Sequence, residues 1–231
     1  AILHRILDEQ LLQAKAAYAI YPASAQGETV SIETPSGTER FEFLRQQRGK
    51  NPACLADYVA NAGDHMGMFW VTAGIGLDEI VRQYEADGDT YSALIAKAWA
   101  DRFAESLAEW LHREVRTNYW GFVPNETLTV DELLAEKYQG IRPAPGYPAC
   151  PDHRHKQALY RLLQADRMGA ELSESCAMSP AASVAGFYIA AKEAHYFSVG
   201  SISNEQLNEL AQRRNESVDT STRWLSPLLL S

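Results

Sequence analysis

The sequence predicts an α+β fold, an antiparallel sheet with helices packed around it in a single domain. Short strand-like segments follow one another early in the chain with no helix between them, which favours antiparallel pairing. After Gly76 the apolar residues recur with the spacing of helices. A chain of 231 residues can bury a substantial core, so we expect neither disulfides nor a metal to be needed for folding.

The composition excludes several classes of function. The chain has 30 Asp and Glu against 21 Lys and Arg, a formal net charge of −9, which disfavours nucleic acids and anionic membranes as partners. No apolar run approaches the roughly 20 residues that span a bilayer. Three widely spaced cysteines, Cys54, Cys150 and Cys176, are typical of reduced thiols. We therefore expect a cytoplasmic protein.

Apolar periodicity locates the elements of the first half. We expect a helix over residues 1 to about 16, then a strand at 16–21 that stops at Pro22. Further strands are predicted at 29–33, 40–44 and 66–72, and helices at 77–84 and from Asp89 to about Tyr119. The buried stripe of the long helix is predicted to consist of Leu94, Ile95, Trp99, Phe103, Leu107, Trp110 and Leu111.

The second half begins with a capping box at Thr129 and Glu132, which predicts a helix through Lys137. Another helix is expected at 155–164. The segments 183–189 and 195–202 have the pattern of strands that could form a hairpin. Two final helices are expected, one capped by Ser203 and one at 218–224.

The most unusual segment is the proline-rich loop, residues 140–151, which contains four prolines and two glycines. Such a loop is stiff, so little conformational entropy is lost when it binds a ligand. Arg142 offers a planar fork that suits a carboxylate or phosphate, and Gly146 allows close approach to the main chain. A structural crossover with Arg142 at a helix C-terminus explains the loop equally well.

The end of this loop also contains residue types that bind metals. Cys150, His153 and His155 are close in sequence, with Asp152 between them. These residues form one cluster with no second cluster elsewhere in the sequence. We therefore expect no metal, with Asp152 beginning the next helix and the two histidines solvated.

The loop and its flanks resemble the C-terminal activation domain of cobalamin-dependent methionine synthase. The most specific motif is Arg-x-x-x-Gly-Tyr-Pro, from Arg142 to Pro148. Segments that match the family in the same order are 44–47, 54–58, 71–76, 100–105, 111–114, 138–142, 173–178, 182–188, 196–199 and 217–225. The resemblance therefore covers essentially the whole chain.

This resemblance implies a C-shaped domain that binds S-adenosylmethionine and positions its methyl group for reductive remethylation of cob(II)alamin in methionine synthase, and hence a part in methionine biosynthesis. The residues it implies at the ligand are Arg142, Ala144, Gly146, Tyr147, Tyr196, Phe197 and Glu105. Their chemistry suits the ligand: Arg142 its carboxylate, the two tyrosine rings its sulfonium, and Glu105 its positive charge. No residue is expected to act as an acid–base catalyst, because a neutral thioether leaves and positioning is the main contribution.

The resemblance also implies partners. Cobalamin would be carried by another domain or chain, and flavodoxin or a diflavin reductase would donate the electron. Flavodoxins are acidic, so we expect docking on a local basic patch, either Arg45, Arg48 and Lys50 or Arg213 and Arg214. The alternative is a freestanding module of the same fold that docks a corrinoid protein or a flavoprotein reductase.

Family members carry, upstream of the first helix, an aromatic-rich segment with an aspartate for the ligand's amino group. Residues 1–20 do not match it. We therefore expect either that this sequence lacks the N-terminal edge of the domain or that the protein is a divergent relative.

Overall fold

The computed structural model describes residues 2–230 and has the predicted mixed α+β architecture. Its main sheet has five strands in the order β3-β2-β1-β4-β7, and β5 pairs with β6 separately. The strands are β1 Gln13–Gln26, β2 Thr29–Thr34, β3 Gly37–Glu42, β4 Asp64–Ile75, β5 Glu171–Leu172, β6 Met178–Ser179 and β7 Ser183–Tyr188. The pairs β1–β2 and β2–β3 are antiparallel, as expected from the short connections between them.

Most predicted helices are confirmed, with boundaries that shift by a few residues. The helices are α1 Ile2–Asp8, α2 Leu77–Ala86, α3 Thr90–Glu114, α4 Val130–Leu134, α5 His155–Leu162, α6 Asn204–Arg214 and α7 Val218–Leu225. A π-helical turn, Val115–Tyr119, follows α3. Among the described residues, no helix combines the length and apolar character that a membrane span requires.

The chain divides into two compact units. The first contains residues up to Ala19, Met68–Tyr119 and Lys156–Gly186, and the second contains Ile20–Gly67, Trp120–His155 and the chain from Phe187 onward. The strands β1, β4 and β7 each contribute residues to both units. That the whole chain is one C-shaped domain stays a prediction.

The core of the first unit lies between α1, α2 and α3, and the predicted buried stripe of α3 is confirmed at Leu111 but wrong at Leu94 and Trp110. Most buried residues of α3 are small, namely Ser92, Ala93, Ala96, Ala100, Ala104 and Ala108, and they are joined by Leu111 and His112. Leu94 and Trp110 are instead 63% and 51% exposed, and Trp99 and Phe103 only flank the core. Alanine at this spacing lets helix backbones pack closely, which moves the large side chains to the edges.

The helix predicted over residues 1–16 forms but is shorter than predicted, because α1 ends at Asp8 and β1 begins at Gln13. Gln10 adopts φ +51°, which turns the chain out of the helix, and Leu11 packs on the core from the connection. Pro22 does not end β1. The register with β2 begins at Ala23, so no hydrogen bond to that neighbour is required of Pro22.

The second unit contains β2, β3, α6 and α7, with a core that includes Leu207, Leu210 and Leu225. Its predicted hairpin is wrong. β7 forms, but residues 195–201 have no strand structure and Ile202 makes only an isolated bridge to Leu229. The polar groups of this segment bond to several different parts of the chain, as described below.

Candidate functional site

The proline-rich loop is fixed at its start by the end of β7 and the residue that follows it. Ile141 and Ile189 exchange two backbone hydrogen bonds of 2.9 and 3.0 Å, and the Phe187 amide donates to the Pro143 carbonyl at 2.9 Å. Gly140 has φ +81°, and a Cβ there would lie 2.5 Å from the Ile189 carbonyl oxygen. Only glycine therefore fits this turn.

The tip of the loop is shaped by bonds between near neighbours. The Gly146 amide donates to the Cys150 carbonyl at 2.8 Å, and the Tyr147 amide donates to the Ala144 carbonyl at 3.1 Å. Gly146 has φ +97°, and a Cβ there would lie 2.2 Å from the ring of His153. The Tyr147 side chain is 62% exposed, so the tip presents an aromatic ring to solvent.

Arg142 is held between two tyrosines. Its backbone amide donates to the Tyr196 hydroxyl at 3.0 Å, and its Nη1 donates to the Tyr138 hydroxyl at 2.9 Å. The guanidinium carbon also lies 5.6 Å from the centre of the Tyr138 ring. Tyr138 is buried and Arg142 is half-buried. Two predicted site residues, Arg142 and Tyr196, are thus in direct contact.

Residues 195–199 form the other side of this arrangement. The Val199 amide donates to the Pro148 carbonyl at 2.9 Å, which joins the segment to the loop. Phe197 is half-buried against His195 and Tyr58, and the Tyr58 hydroxyl is hydrogen-bonded to His195 Nδ1 at 3.2 Å. The structure therefore joins Tyr196 to Arg142 and joins this segment to the loop at Pro148, whereas Phe197 packs on Tyr58 and His195.

A cavity of about 340 Å³ adjoins the loop tip, with a volume in the range of small-molecule sites. Its lining consists of Gly146, Tyr147, Pro148, Pro151, Ser198, Gly200, Ser201, Pro227 and Leu228. Two predicted site residues, Gly146 and Tyr147, form part of its wall.

Glu105 belongs to the other unit, on α3, where its side chain is half-exposed. Its carboxylate forms a two-pronged ion pair with Arg102, with distances of 2.7 and 2.9 Å. This is an ordinary surface pair at i,i+3 on a helix.

Comparison with known proteins places the sequence and its fold in a family. Residues 1–215 match the family model described as vitamin B12 dependent methionine synthase, activation domain. The chain belongs to this family. A solved structure described as the MetH reactivation domain bound to AdoHcy is 39% identical, with a TM-score of 0.95. The match covers 100% of this chain and 74% of that one. The resemblance and the fold class predicted from the sequence are confirmed.

In this activation domain the loop is anchored at its other end by a buried carboxylate. Asp152 accepts bonds from Arg154 at 2.8 Å and from Arg214 at 2.5 Å, and Arg154 reaches Glu216 at 2.8 Å. Burial alone would raise the pKa of Asp152, but the bonds from Arg154 and the charge of Arg214 hold it well below its ordinary value. Asp152 therefore remains an anion in the interior.

The predicted solvation of His155 is wrong. Its ring is buried against Phe41, Phe43 and Phe187. Burial lowers the pKa of His155 to about 3, and the positive charge of Arg214 contributes to the lowering. His155 is therefore neutral at physiological pH. His153, by contrast, is exposed. Within residues 2–230, no three His, Cys, Asp or Glu side chains converge as metal ligands would.

The predicted basic docking patch needs correction. Arg213 bonds to Glu42 at 3.0 Å and to the Phe43 carbonyl at 2.9 Å, and Arg214 bonds to Asp152. Arg45 forms a two-pronged pair with Asp57 at 2.7 Å. Sequence alone does not separate an arginine that is engaged inside the protein from one that faces solvent. Tyr138, which contacts Arg142, was not among the predicted site residues, although it lies in the matching segment 138–142.

Proposed function

We propose that this chain binds S-adenosylmethionine and S-adenosylhomocysteine at the proline-rich loop and positions the sulfonium methyl for reactivation of cobalamin. The observation that carries the proposal is the match over 100% of the chain, at 39% identity, to a reactivation domain crystallised with AdoHcy. Arg142, Tyr196 and the loop tip, each assigned to the ligand by resemblance, are contiguous in the structure.

The Arg142 guanidinium would bind the ligand's carboxylate. A guanidinium presents its N–H donors in a planar fork that matches the two oxygens of a carboxylate. A two-pronged, charge-assisted bond to a carboxylate is among the stronger hydrogen-bonded contacts in proteins. Arg142 is therefore the residue whose loss should weaken binding most.

The backbone of the loop tip would bind the adenosyl group. The Ala144 carbonyl and the Gly146 amide already shape the tip. The ligand's polar edge would therefore bond to the Ala144 amide and the Gly146 carbonyl, which take no part in those two bonds. The exposed rings of Tyr147 and Tyr196 offer faces that attract a sulfonium as they attract other cations. The role expected for Glu105 stays a prediction.

Cobalamin, bound by another domain or chain and reduced by the electron donor, would supply a nucleophilic cobalt for the methyl group. The residues of this chain would bind and orient the ligand so that methyl and leaving sulfur are in line. The thioether leaves neutral, so no side chain needs to donate or accept a proton. The chain would accordingly act as the binding and reactivation module of a methyltransferase.

Isothermal titration with S-adenosylmethionine and with S-adenosylhomocysteine tests this proposal. We expect saturable binding, weakened about 10- to 100-fold by Arg142→Ala, because a hydrogen bond to a charged group contributes about 1.5–3 kcal/mol. Arg82→Ala is the matched control, since Arg82 is an exposed arginine paired with Glu79. A wild-type chain that binds neither ligand contradicts the proposal.

The electron donor would be flavodoxin or a diflavin reductase, docked through a basic surface. Of the predicted patch, Arg48 and Lys50 are the members that are exposed, whereas Arg45, Arg213 and Arg214 are engaged in ion pairs. Reversing both exposed residues, as Arg48→Glu with Lys50→Glu, should slow reductive reactivation without changing the affinity for S-adenosylmethionine. Unchanged reactivation removes this patch as the docking site.

We infer a cytoplasmic location from the cysteines. Cys54, Cys150 and Cys176 are buried and form no disulfide. Burial raises the pKa of Cys54 to about 12 and also raises that of Cys150, so both remain thiols. Such cysteines suit a reducing compartment.

A further inference from the structure

The contact between Arg142 and Tyr138 has the features of a prearranged pair. The tyrosine hydroxyl accepts a hydrogen bond from Nη1, with a distance of 2.9 Å between nitrogen and oxygen. The guanidinium carbon lies 5.6 Å from the ring centre. Tyr138 is buried, so its ring is itself held in one position. An arginine side chain has many rotamers, and fixing one of them on ligand binding costs conformational entropy.

The backbone between the two residues is also fixed. Gly140 takes a left-handed conformation in which no other residue fits against the Ile189 carbonyl. On one side of it, the Gln139 side chain donates to the Ala190 carbonyl at 2.8 Å, and on the other Ile141 pairs with Ile189. The hydroxyl of Tyr138 therefore meets Arg142 as a feature of the fold, without any ligand.

We propose that Tyr138 is a positioning residue that holds the Arg142 guanidinium in the orientation that binds the ligand's carboxylate. This inference rests on the proposed function. Tyr138 acts through Arg142 and does not itself touch the ligand. A partner that orders a flexible side chain beforehand improves affinity because less freedom is lost on binding. The effect of Tyr138 should therefore appear only with ligands that carry the carboxylate.

Two ligands separate positioning from general structural support. S-adenosylmethionine carries the carboxylate, whereas decarboxylated S-adenosylmethionine retains the sulfonium, ammonium and adenosine and lacks only that group. Tyr138→Phe keeps the ring and removes the hydroxyl. We expect this substitution to weaken the binding of S-adenosylmethionine about 3- to 10-fold, as for the loss of one hydrogen bond. The affinity for the decarboxylated ligand should change by less than about 2-fold.

The chain offers a matched control in the first unit. Arg5 Nη1 donates to the Tyr84 hydroxyl at 3.3 Å, and the guanidinium carbon of Arg5 lies 5.4 Å from the Tyr84 ring centre. Tyr84→Phe therefore makes the same chemical change in the same kind of pair. It should change the affinity for neither ligand.

Arg142→Ala completes the experiment. It should remove the preference for the carboxylated ligand, and Tyr138→Phe added to Arg142→Ala should have no further effect. Equal weakening of both ligands by Tyr138→Phe, or no weakening of either, overturns the inference. A wild-type chain that binds neither ligand instead overturns the proposed function, so the two failures are distinguishable.

Discussion

The two sides of the candidate site obtain their conformations from different sources. The tip of the proline-rich loop is shaped by bonds between residues at most four apart, such as Gly146 to Cys150 and Tyr147 to Ala144. The facing segment, residues 195–199, is shaped by distant partners. The Ser198 carbonyl accepts from the Gln46 side chain at 2.8 Å, and the Val199 amide donates to Pro148.

This difference separates a rigid side of the site from an adjustable one. Local bonds and prolines hold the loop tip even when contacts elsewhere loosen, because they are closed within a few residues. The segment at 195–199 is held by partners that are distant in sequence. A substitution at one of those partners should therefore also affect the position of Tyr196. Changes at the base of the loop, at its tip and at the segment should consequently have different effects.

The base of the loop, which we define as Asp152 and the adjoining His155, depends on partners that are distant in sequence. We expect the largest loss of stability from a substitution there. Asp152 is bonded to Arg214, 62 residues away, as well as to Arg154. Asp152→Asn removes a buried charge between two arginines and should destabilise the protein by about 3–5 kcal/mol in urea unfolding. Glu79→Gln, which breaks the exposed pair with Arg82, should cost less than about 1 kcal/mol. A loss of unfolding free energy below about 1 kcal/mol for Asp152→Asn would mean that the base of the loop contributes little to the stability of the protein.

His155 makes the same base sensitive to acid. Burial lowers its pKa to about 3 from an ordinary value of 6.5, so the unfolded chain takes up its proton first as the pH falls. The stability that His155 contributes is complete above pH 6.5 and is lost between pH 6.5 and 3, at up to about 1.4 kcal/mol per pH unit. Between pH 7 and 5 we expect a loss of about 2 kcal/mol from this residue.

Urea unfolding at pH 7, 6 and 5 measures this loss, and His155→Phe is the companion variant. Phenylalanine suits the surrounding rings of Phe41, Phe43 and Phe187 and does not titrate. Its unfolding free energy should vary less over this range than that of the wild type. An equal slope for both proteins would assign the acid sensitivity to other groups.

Features that depend on near neighbours could be predicted from the sequence. The helix caps at Asp89, Thr129 and Ser203 form as expected, each accepting a bond from an amide three residues on. The irregular path of the proline-rich loop was predictable for the same reason. Proline and glycine restrict or release the backbone wherever they stand.

Features that depend on tertiary contacts could not be predicted in this way. Residues 195–202 have the alternating pattern of a strand, but Gln46 and Pro148 take the backbone groups that a neighbouring strand would use. The alanine face of α3 was missed because large apolar residues dominate a periodicity argument. Arg142 and Tyr196 were assigned to the ligand through the family resemblance, and their mutual hydrogen bond emerged only from the fold.

At the loop tip, Gly146→Ala tests whether glycine is needed for its conformation or for the space beside His153. Alanine at φ +97° should cost about 1–2 kcal/mol in unfolding free energy from the backbone alone. Gly49→Ala is the control, because Gly49 has φ +107° and a Cβ added there would meet nothing within 4 Å. A larger loss of unfolding free energy at Gly146 than at Gly49 would come from crowding against the His153 ring. Adding His153→Ala to the Gly146→Ala variant should then recover the extra loss. Equal costs would exclude crowding.

The smallest effect is expected at residues 195–199. It tests most directly whether this segment and the loop tip are stabilised independently. Gln46→Ala removes the bond to the Ser198 carbonyl and a second bond from the Ala53 amide, for a loss of about 1–2 kcal/mol. Because Ser198 precedes Val199, hydrogen exchange at the Val199 amide should become faster, while the Gly146 and Cys150 amides keep their protection. Gln47→Ala, a change at the next and exposed residue, should leave all three amides unchanged. Equal acceleration at Val199 and Gly146 would mean that loop and segment open together, and that the local bonds of the tip do not stabilise it independently.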